Sequence, residues 1–460
     1  MALLQLQWVA VMGGDAVRRV IGTSLGAAAL LAAFAALAQP SQDWASCENK
    51  DNALPADVSI DGCSALIQSG TVSAQNIPIV YNNRGVAYRV KGDLDHAIAD
   101  YGEAIKLDPD YEVAYHNRGR AYFAKREIDR AISDYDQALR INPRYRFAYL
   151  NRGLAHFAKR DPARAIADYG EAIKIDPTLA HAFNLRGLAY RAMGDNAKAI
   201  ADHTEAIRLA PNFEVAYYYR GLTWGDSKEL DRAIADYDQT LRLNPRFQEA
   251  WVNRGLAWGE KKQFDRAIAD YNEAIKLNAS DVIAIYDRGN AYRAIGQLDR
   301  AIADYSEAIR LDPKDAIAFL ARGSTYSAKR DFARAIPNFD QALRLDSASA
   351  AAWNSRCWAR AMIGQLDQAL ADCNESLRLS HDPYTLDSRG LVYLKLGQFD
   401  PAIADYTAVL KEVPNFADSL YGRGLAKRKK GDATGGQADV AAAKALRPDV
   451  AEEFAKYGVK

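Results

Sequence analysis

Histidine, methionine and cysteine are scarce in this chain, and neither sign of charge is in excess. Its 460 residues hold 6 His, 4 Met and 4 Cys, with 59 Lys and Arg against 59 Asp and Glu. That balance gives no basic excess for binding a phosphate backbone, and no acidic excess to draw in a cationic partner. The histidines, His96, His116, His156, His181, His203 and His381, stand singly. None has a partner at metal-ligand spacing, so no metal, no cofactor and no catalytic constellation is expected. The glycine-rich stretch Gly431–Gln437 lacks the lysine of a phosphate loop and a strand before it, and reads as a turn between helices. With 49% hydrophobic and 10% aromatic residues the chain can bury a core, which excludes disorder.

What the chain does have is a period. Arginine recurs every 34 residues at Arg84, Arg118, Arg152, Arg186, Arg220, Arg254, Arg288, Arg322 and Arg356, and again at Arg389 and Arg423 after one deleted residue. Glycine follows each of them except Arg356, where Cys357 takes its place. A fixed period of this length means stacked supersecondary units, not a globular enzyme. The unit Glu112–Tyr145 shows the grammar. Val113, Tyr115 and Tyr122 mark a first helix, Lys125-Arg126-Glu127 a turn, and Ile128, Ala131, Ile132, Tyr135, Ala138 and Leu139 a second helix. Asn142-Pro143 ends it, because proline cannot continue the ladder. An aromatic opens most first helices, as at Tyr81, Tyr115 and Tyr149, and a second aromatic sits in most second helices, as at Tyr101, Tyr135 and Tyr169. Glycine lets the two helices approach closely, with alanine expected to face it from the second helix at Ala97, Ala131 and their equivalents.

On these columns the chain resembles the tetratricopeptide repeat (TPR) family, in its arginine-glycine form common in bacteria. The resemblance covers about residues 78–448 in about eleven units. It implies an all-α, right-handed superhelical solenoid of helix-turn-helix units with helical caps, and a concave groove lined by first helices. The role it implies is non-catalytic: binding an extended or helical segment of a partner protein or peptide. Residues 39–77 read as a degenerate capping unit, with Ile60, Cys63, Leu66 and Ile67 on the second-helix pattern, and residues 449–460 as a capping helix bearing Phe454 and Tyr457. Pro337 falls inside a second helix, where it removes one hydrogen bond and is expected to kink the segment.

Before the array, Arg18-Arg19 precede the apolar run Val20–Ala38, and Ala36-Leu37-Ala38 offers small residues for cleavage. Residues 1–38 therefore read as a signal peptide, the true start being Met1 or Met12, and the mature chain as periplasmic or secreted. The alternative is an inner-membrane anchor formed by residues 20–38. Membrane contact is expected only through this segment, if it stays uncleaved. No nucleic acid and no small-molecule substrate is implied.

Three further patterns carry structure or binding. Aspartate follows each repeat arginine by 16 residues, as at Asp100, Asp134 and Asp168, and only Asn338 breaks the series. That spacing predicts a ladder of ion pairs. Cysteines fall 16 apart in two pairs. Cys357 stands in the glycine column and Cys373 in the second aromatic column, and the two columns face each other in an antiparallel helix pair. Disulfides Cys47–Cys63 and Cys357–Cys373 are expected in an exported protein. Asparagine precedes the arginine at Asn83, Asn117, Asn151 and Asn253, with Asn184 one place earlier in its unit. An amide both donates to and accepts from a peptide backbone. The pattern is similar to the asparagine ladder in the repeats of O-linked N-acetylglucosamine transferase, and makes these residues, with Tyr218 and Tyr219, the candidate peptide contacts. The alternative reading is a fixed accessory subunit of an envelope enzyme or of a secretion or assembly machine.

Overall fold

A computed structural model of the protein describes residues 42–50 and 53–459. The expected signal peptide lies outside the described residues. Among those residues the chain is all-helical, with no strand. It divides into two compact units, one up to Ser227 and the other from Lys228 onward. The 34-residue period runs through this division, which falls between the two helices of one repeat.

The first unit opens with Gln42–Glu48 and Ala56–Ser69, joined by Cys47–Cys63 with Cα atoms 4.5 Å apart. Helix pairs follow: Ile77–Lys91 with Leu94–Leu107, Glu112–Ala124 with Ile128–Ile141, Arg146–Ala158 with Pro162–Ile175, and Ala180–Ala192 with Asn196–Leu209. Glu214–Asp226 closes the unit. The second unit starts at Leu230–Leu243 and repeats the pairing from Gln248–Glu260 with Phe264–Leu277 to Ala417–Lys430 with Ala433–Leu446. A short helix, Val450–Lys456, ends it.

Within a repeat, the glycine meets an aromatic ring. A Cβ on Gly119 would lie 2.6 Å from the Tyr135 ring, and the same clash recurs at Gly85 on Tyr101 and Gly255 on Tyr271. This corrects the expectation that alanine faces the glycine. The alanines work at the joint between repeats instead. Ala97 packs with Ala121 of the next repeat, Ala131 with Ala155, and Ala267 with Ala291. Small residues on both sides of a joint let consecutive repeats close without a void. Cys357–Cys373 occupies the glycine and ring positions of its repeat, with Cα atoms 5.4 Å apart, so a covalent bond stands where the ring contact stands elsewhere.

The arginine–aspartate ladder is present in both units. Nε and Nη2 of Arg84, Arg118, Arg152 and Arg186 donate to Asp100, Asp134, Asp168 and Asp202. In the second unit Arg254, Arg288, Arg356, Arg389 and Arg423 do the same with Asp270, Asp304, Asp372, Asp405 and Asp439. The remaining nitrogen reaches backward. Nη1 of Arg152 donates to Asp136, that of Arg254 to Asp238, and that of Arg288 to Asn272. These guanidiniums thus fix their own helix pair and the preceding repeat at once, whereas Gly102 and Gly170 offer no side chain to Arg118 and Arg186. The opening aromatic covers its flat face, with Trp251 centred 4.7 Å from the carbon of Arg254 and Tyr149 5.4 Å from that of Arg152.

At the one break an amide takes the place of the carboxylate. Helix Phe332–Leu345 runs through Pro337, which brings no backbone donor. Asn338 donates its side-chain amide to the carbonyl of Arg334, 2.7 Å away, while its oxygen accepts from Nε of Arg322. A carboxylate could accept from the arginine but could not donate to the Arg334 carbonyl; the carbonyl that Pro337 leaves without an N–H is that of Ala333. Deprived of a carboxylate, Arg322 is the ladder arginine whose pKa burial pulls down; the same groups of Arg118 and Arg288 are held up by their aspartates.

Candidate partner-binding face

Most consecutive first helices approach one another within each unit, whereas second helices pack chiefly on their own partner and the next first helix. First helices therefore form the inner face, and the two positions before each arginine lie where neighbouring first helices meet. In the first unit those positions are stitched. Asn117 donates to Asn82 Oδ1 over 2.9 Å. Asn151 donates to Nε2 of His116 over 2.7 Å. An amide nitrogen can only donate, so Nε2 is the bare nitrogen, and Nδ1–H faces the Tyr145 hydroxyl 3.1 Å away. His116 is held neutral, its pKa pushed down to about 3 by burial and then by the charges of Arg120 and Arg89.

Arg89 and Arg120 sit on this same face beside Tyr101, and burial together with the charge of Arg89 pulls the Arg120 guanidinium down. The inner face of the second unit carries the opposite chemistry. Burial pushes Asp287 up to about 6 and Asp387 up to about 7.

The predicted peptide contacts are placed unevenly. Asn83, Asn151 and Asn253 are half-buried, and Asn253 donates to the carbonyl of Glu249 in its own helix. Asn117 and Asn184 are only 7% and 4% exposed, which corrects the expectation that they stand open in a groove. Asn184 accepts from Nδ1 of His203, which replaces the ring of the second aromatic column. Tyr218 is buried, its ring 5.3 Å from that of Tyr219, which in turn lies over His203 at 6.2 Å. Asn117 and Asn151 thus join repeat to repeat, while Asn184 and Asn253 bond within their own repeats. The signal was present in the sequence: Asn82 to Asn117 and His116 to Asn151 are both 35 apart, one period plus one residue.

Comparisons with known proteins agree with this architecture. Profiles described as TPR repeat or tetratricopeptide repeat match residues 85–126, 116–180, 180–213, 249–281, 289–329, 320–382 and 388–451. The chain belongs to the tetratricopeptide repeat family. No curated protein matches it. Solved structures similar to it include the APC/C hetero-tetramer Cut9-Hcn1, at 13% identity over 93% of this chain and 98% of that one, with a TM-score of 0.48. A tetratricopeptide repeat protein from Parabacteroides merdae is 18% identical over 54% of this chain and 98% of its own, with a TM-score of 0.42. MamA is 28% identical over 35% of this chain and 94% of its own, with a TM-score of 0.34.

One further segment lies on a TPR inner face. Helix Val450–Lys456 folds back onto the first helices of the second unit. Phe454, 2% exposed, packs 4.8 Å from the Tyr421 ring, and Tyr457 meets Trp358 edge-on at 5.1 Å. Arg330, in the turn of a repeat far earlier in the chain, donates to the Lys456 carbonyl. Among the described residues no group of three or more His, Cys, Asp or Glu could hold a metal ion, and no helix is long and apolar enough to cross a membrane.

Proposed function

We propose that the protein is a non-catalytic scaffold of the cell envelope whose inner first-helix faces bind an extended or helical segment of a partner protein. The observation that carries this reading is the seating of Val450–Lys456. A helical segment already lies on first helices of the second unit, anchored by two aromatic side chains three residues apart. That is the helix-in-groove mode, in which a few apolar anchors give affinity and the surrounding polar groups give register. The envelope assignment rests on Arg18-Arg19, the apolar run and two disulfides, which persist in oxidising compartments. In the first unit the first helices carry the half-buried Phe123 and Phe157 as well as Arg120, Asn83 and Asn151, a mixture that suits an acidic or polar segment with apolar anchors.

Capture of partners from an envelope fraction, followed by calorimetry with the captured protein, tests this. Replacing Phe123 and Phe157 with serine should weaken binding at least about tenfold, because apolar anchors dominate such interfaces. Unchanged affinity would instead favour a fixed accessory subunit held elsewhere. N-terminal sequencing of the native protein should read Gln39, and an intact leader on cytosolic protein would sink the export reading.

A further inference from the structure

Where the C-terminal helix crosses the second unit it leaves a cavity of about 400 Å³, a size that holds a small ligand. Its walls are aromatic. Trp358, Tyr384, Phe416, Phe454 and Tyr457 all line it, and two edge-on pairs, Trp358 with Tyr457 and Tyr384 with Phe416, hold their rings at 5.1 and 5.7 Å. Two carboxyl groups, Asp387 and Asp418, enter the same space. Arg447 neutralises Asp418 through two hydrogen bonds of 2.6 and 2.9 Å. Asp387 has no cation of its own and accepts only from the Ser419 hydroxyl. Beside it the Tyr406 hydroxyl has no hydrogen-bond partner, although the residue is 1% exposed. The Asn354 carbonyl oxygen and the Ser327 hydroxyl, also lining the cavity, are buried without a partner too.

Three oxygens without hydrogen-bond partners, a carboxylate with no cation of its own and a set of aromatic rings suit one class of ligand; the one buried donor there without a hydrogen bond, Nε of Arg447, faces the Asp449 carboxylate at 3.8 Å. We infer that this cavity is a binding site for an organic ammonium ion, with Asp387 and the Tyr406 oxygen receiving its N–H groups and the aromatic rings surrounding its charge and alkyl carbons. A ring face attracts a cation within about 6 Å, and the attraction grows as water is excluded. An anion would meet Asp387 and Asp418, and a neutral alkyl group would leave the buried acceptors unpaired. The ammonium can come from a free small amine or from a lysine side chain of a partner. In the second case the site deepens the scaffold reading; in the first it stands apart from it.

The charged and titratable groups facing Asp387 are Asp418, Arg447 and Tyr406, with Tyr384 and Tyr457 on the rim and the paired Asp405 behind Tyr406. With its pKa at about 7, Asp387 is mostly protonated at pH 6 and mostly ionised at pH 8. Affinity for a cation should therefore rise about tenfold over that interval, the change in the ionised fraction of a single group.

The test is calorimetry on the full chain with n-butylammonium, and with 1-butanol as its neutral counterpart. Saturable binding of the amine at pH 8, about tenfold weaker at pH 6 and absent for the alcohol, is the expected result. Asp387→Asn should abolish the binding and its pH dependence. Tyr406→Phe removes only an unpartnered hydroxyl, so it should fold normally and weaken binding severalfold. N-acetyl-lysine amide separates the sources: binding as tight as butylammonium points to a partner's lysine, and binding of butylammonium alone to a free amine. No saturable binding at pH 8, equal binding of the alcohol, or full affinity in folded Asp387→Asn or Tyr406→Phe protein would overturn the assignment.

Discussion

The repeat arginine is neither a surface residue nor a lone buried charge. Arg254 is 16% exposed and Asp270 6%, so removing the guanidinium would leave a carboxylate with little access to water. Arg254→Ala should cost about 3–5 kcal/mol, seen as a shift in denaturant midpoint, and the added change Asp270→Asn should recover part of the loss. A second residue-scale prediction concerns acid. His203 is fully buried against Gly187, and burial pushes its pKa down to about 3 from 6.5. The folded chain thus refuses a proton that the unfolded chain accepts. The stabilising effect of a neutral His203 is complete above pH 6.5 and is lost as pH falls toward about 3. His203→Tyr, which restores the ring found in the other repeats, should reduce the slope of stability against pH between 6 and 4 by about 1.4 kcal/mol per unit. Equal slopes in wild type and variant would refute the assignment. The ion pairs were legible because both partners obey one period. The buried state of Asn117 and Asn184 was not, since a polar side chain on a first helix looks the same in sequence whether it faces a ligand or the next repeat.

At the scale of the element, the sequence placed helices, turns and joints well, because each column repeats. It missed which residue meets the glycine: two columns of the second helix, one of alanine and one mostly of aromatic rings, both recur with the period, and only packing shows that the larger one fills the gap. It also missed a cost in the turns. Arg126, Arg160, Lys262 and Arg330 adopt positive φ, near 60°, where other repeats carry Gly194, Gly296 and Gly364. A left-handed backbone disfavours a Cβ by roughly 1–2 kcal/mol, so these turns are strained beside their glycine counterparts. The helix pair closed by Cys357–Cys373 lacks the glycine–ring contact altogether. Replacing both cysteines by alanine should therefore lose about 3 kcal/mol, the value for closing a loop of this size, with no packing to compensate. Replacing them by glycine and tyrosine, Cys357→Gly with Cys373→Tyr, should recover part of that. Thermal unfolding of the two variants side by side distinguishes them, and identical midpoints would show that the ring contact adds nothing.

At the scale of the whole molecule, the end of the chain matters most to the second unit. Val450 and Phe454 are 0% and 2% exposed and join a cluster containing Leu391, Leu394, Leu420 and Leu425. Phe454→Ala should cost about 3 kcal/mol and should speed proteolysis of the last repeats, while leaving the first unit's protease pattern unchanged. Two aromatic residues beyond the last proline mark this segment in the sequence, but nothing in the period could show that it turns back onto first helices as far as Trp358. A stack of like repeats has no natural stopping point: the surface that receives the next repeat can receive the first repeat of another molecule, and a head-to-tail contact of that kind does not close. Here Val450 and Phe454 cover part of the apolar surface of the last repeats, and Cys47–Cys63 holds the two helices of the leading pair together. The C-terminal helix thereby opposes head-to-tail growth at its end of the stack, and damage to it should appear first as self-association.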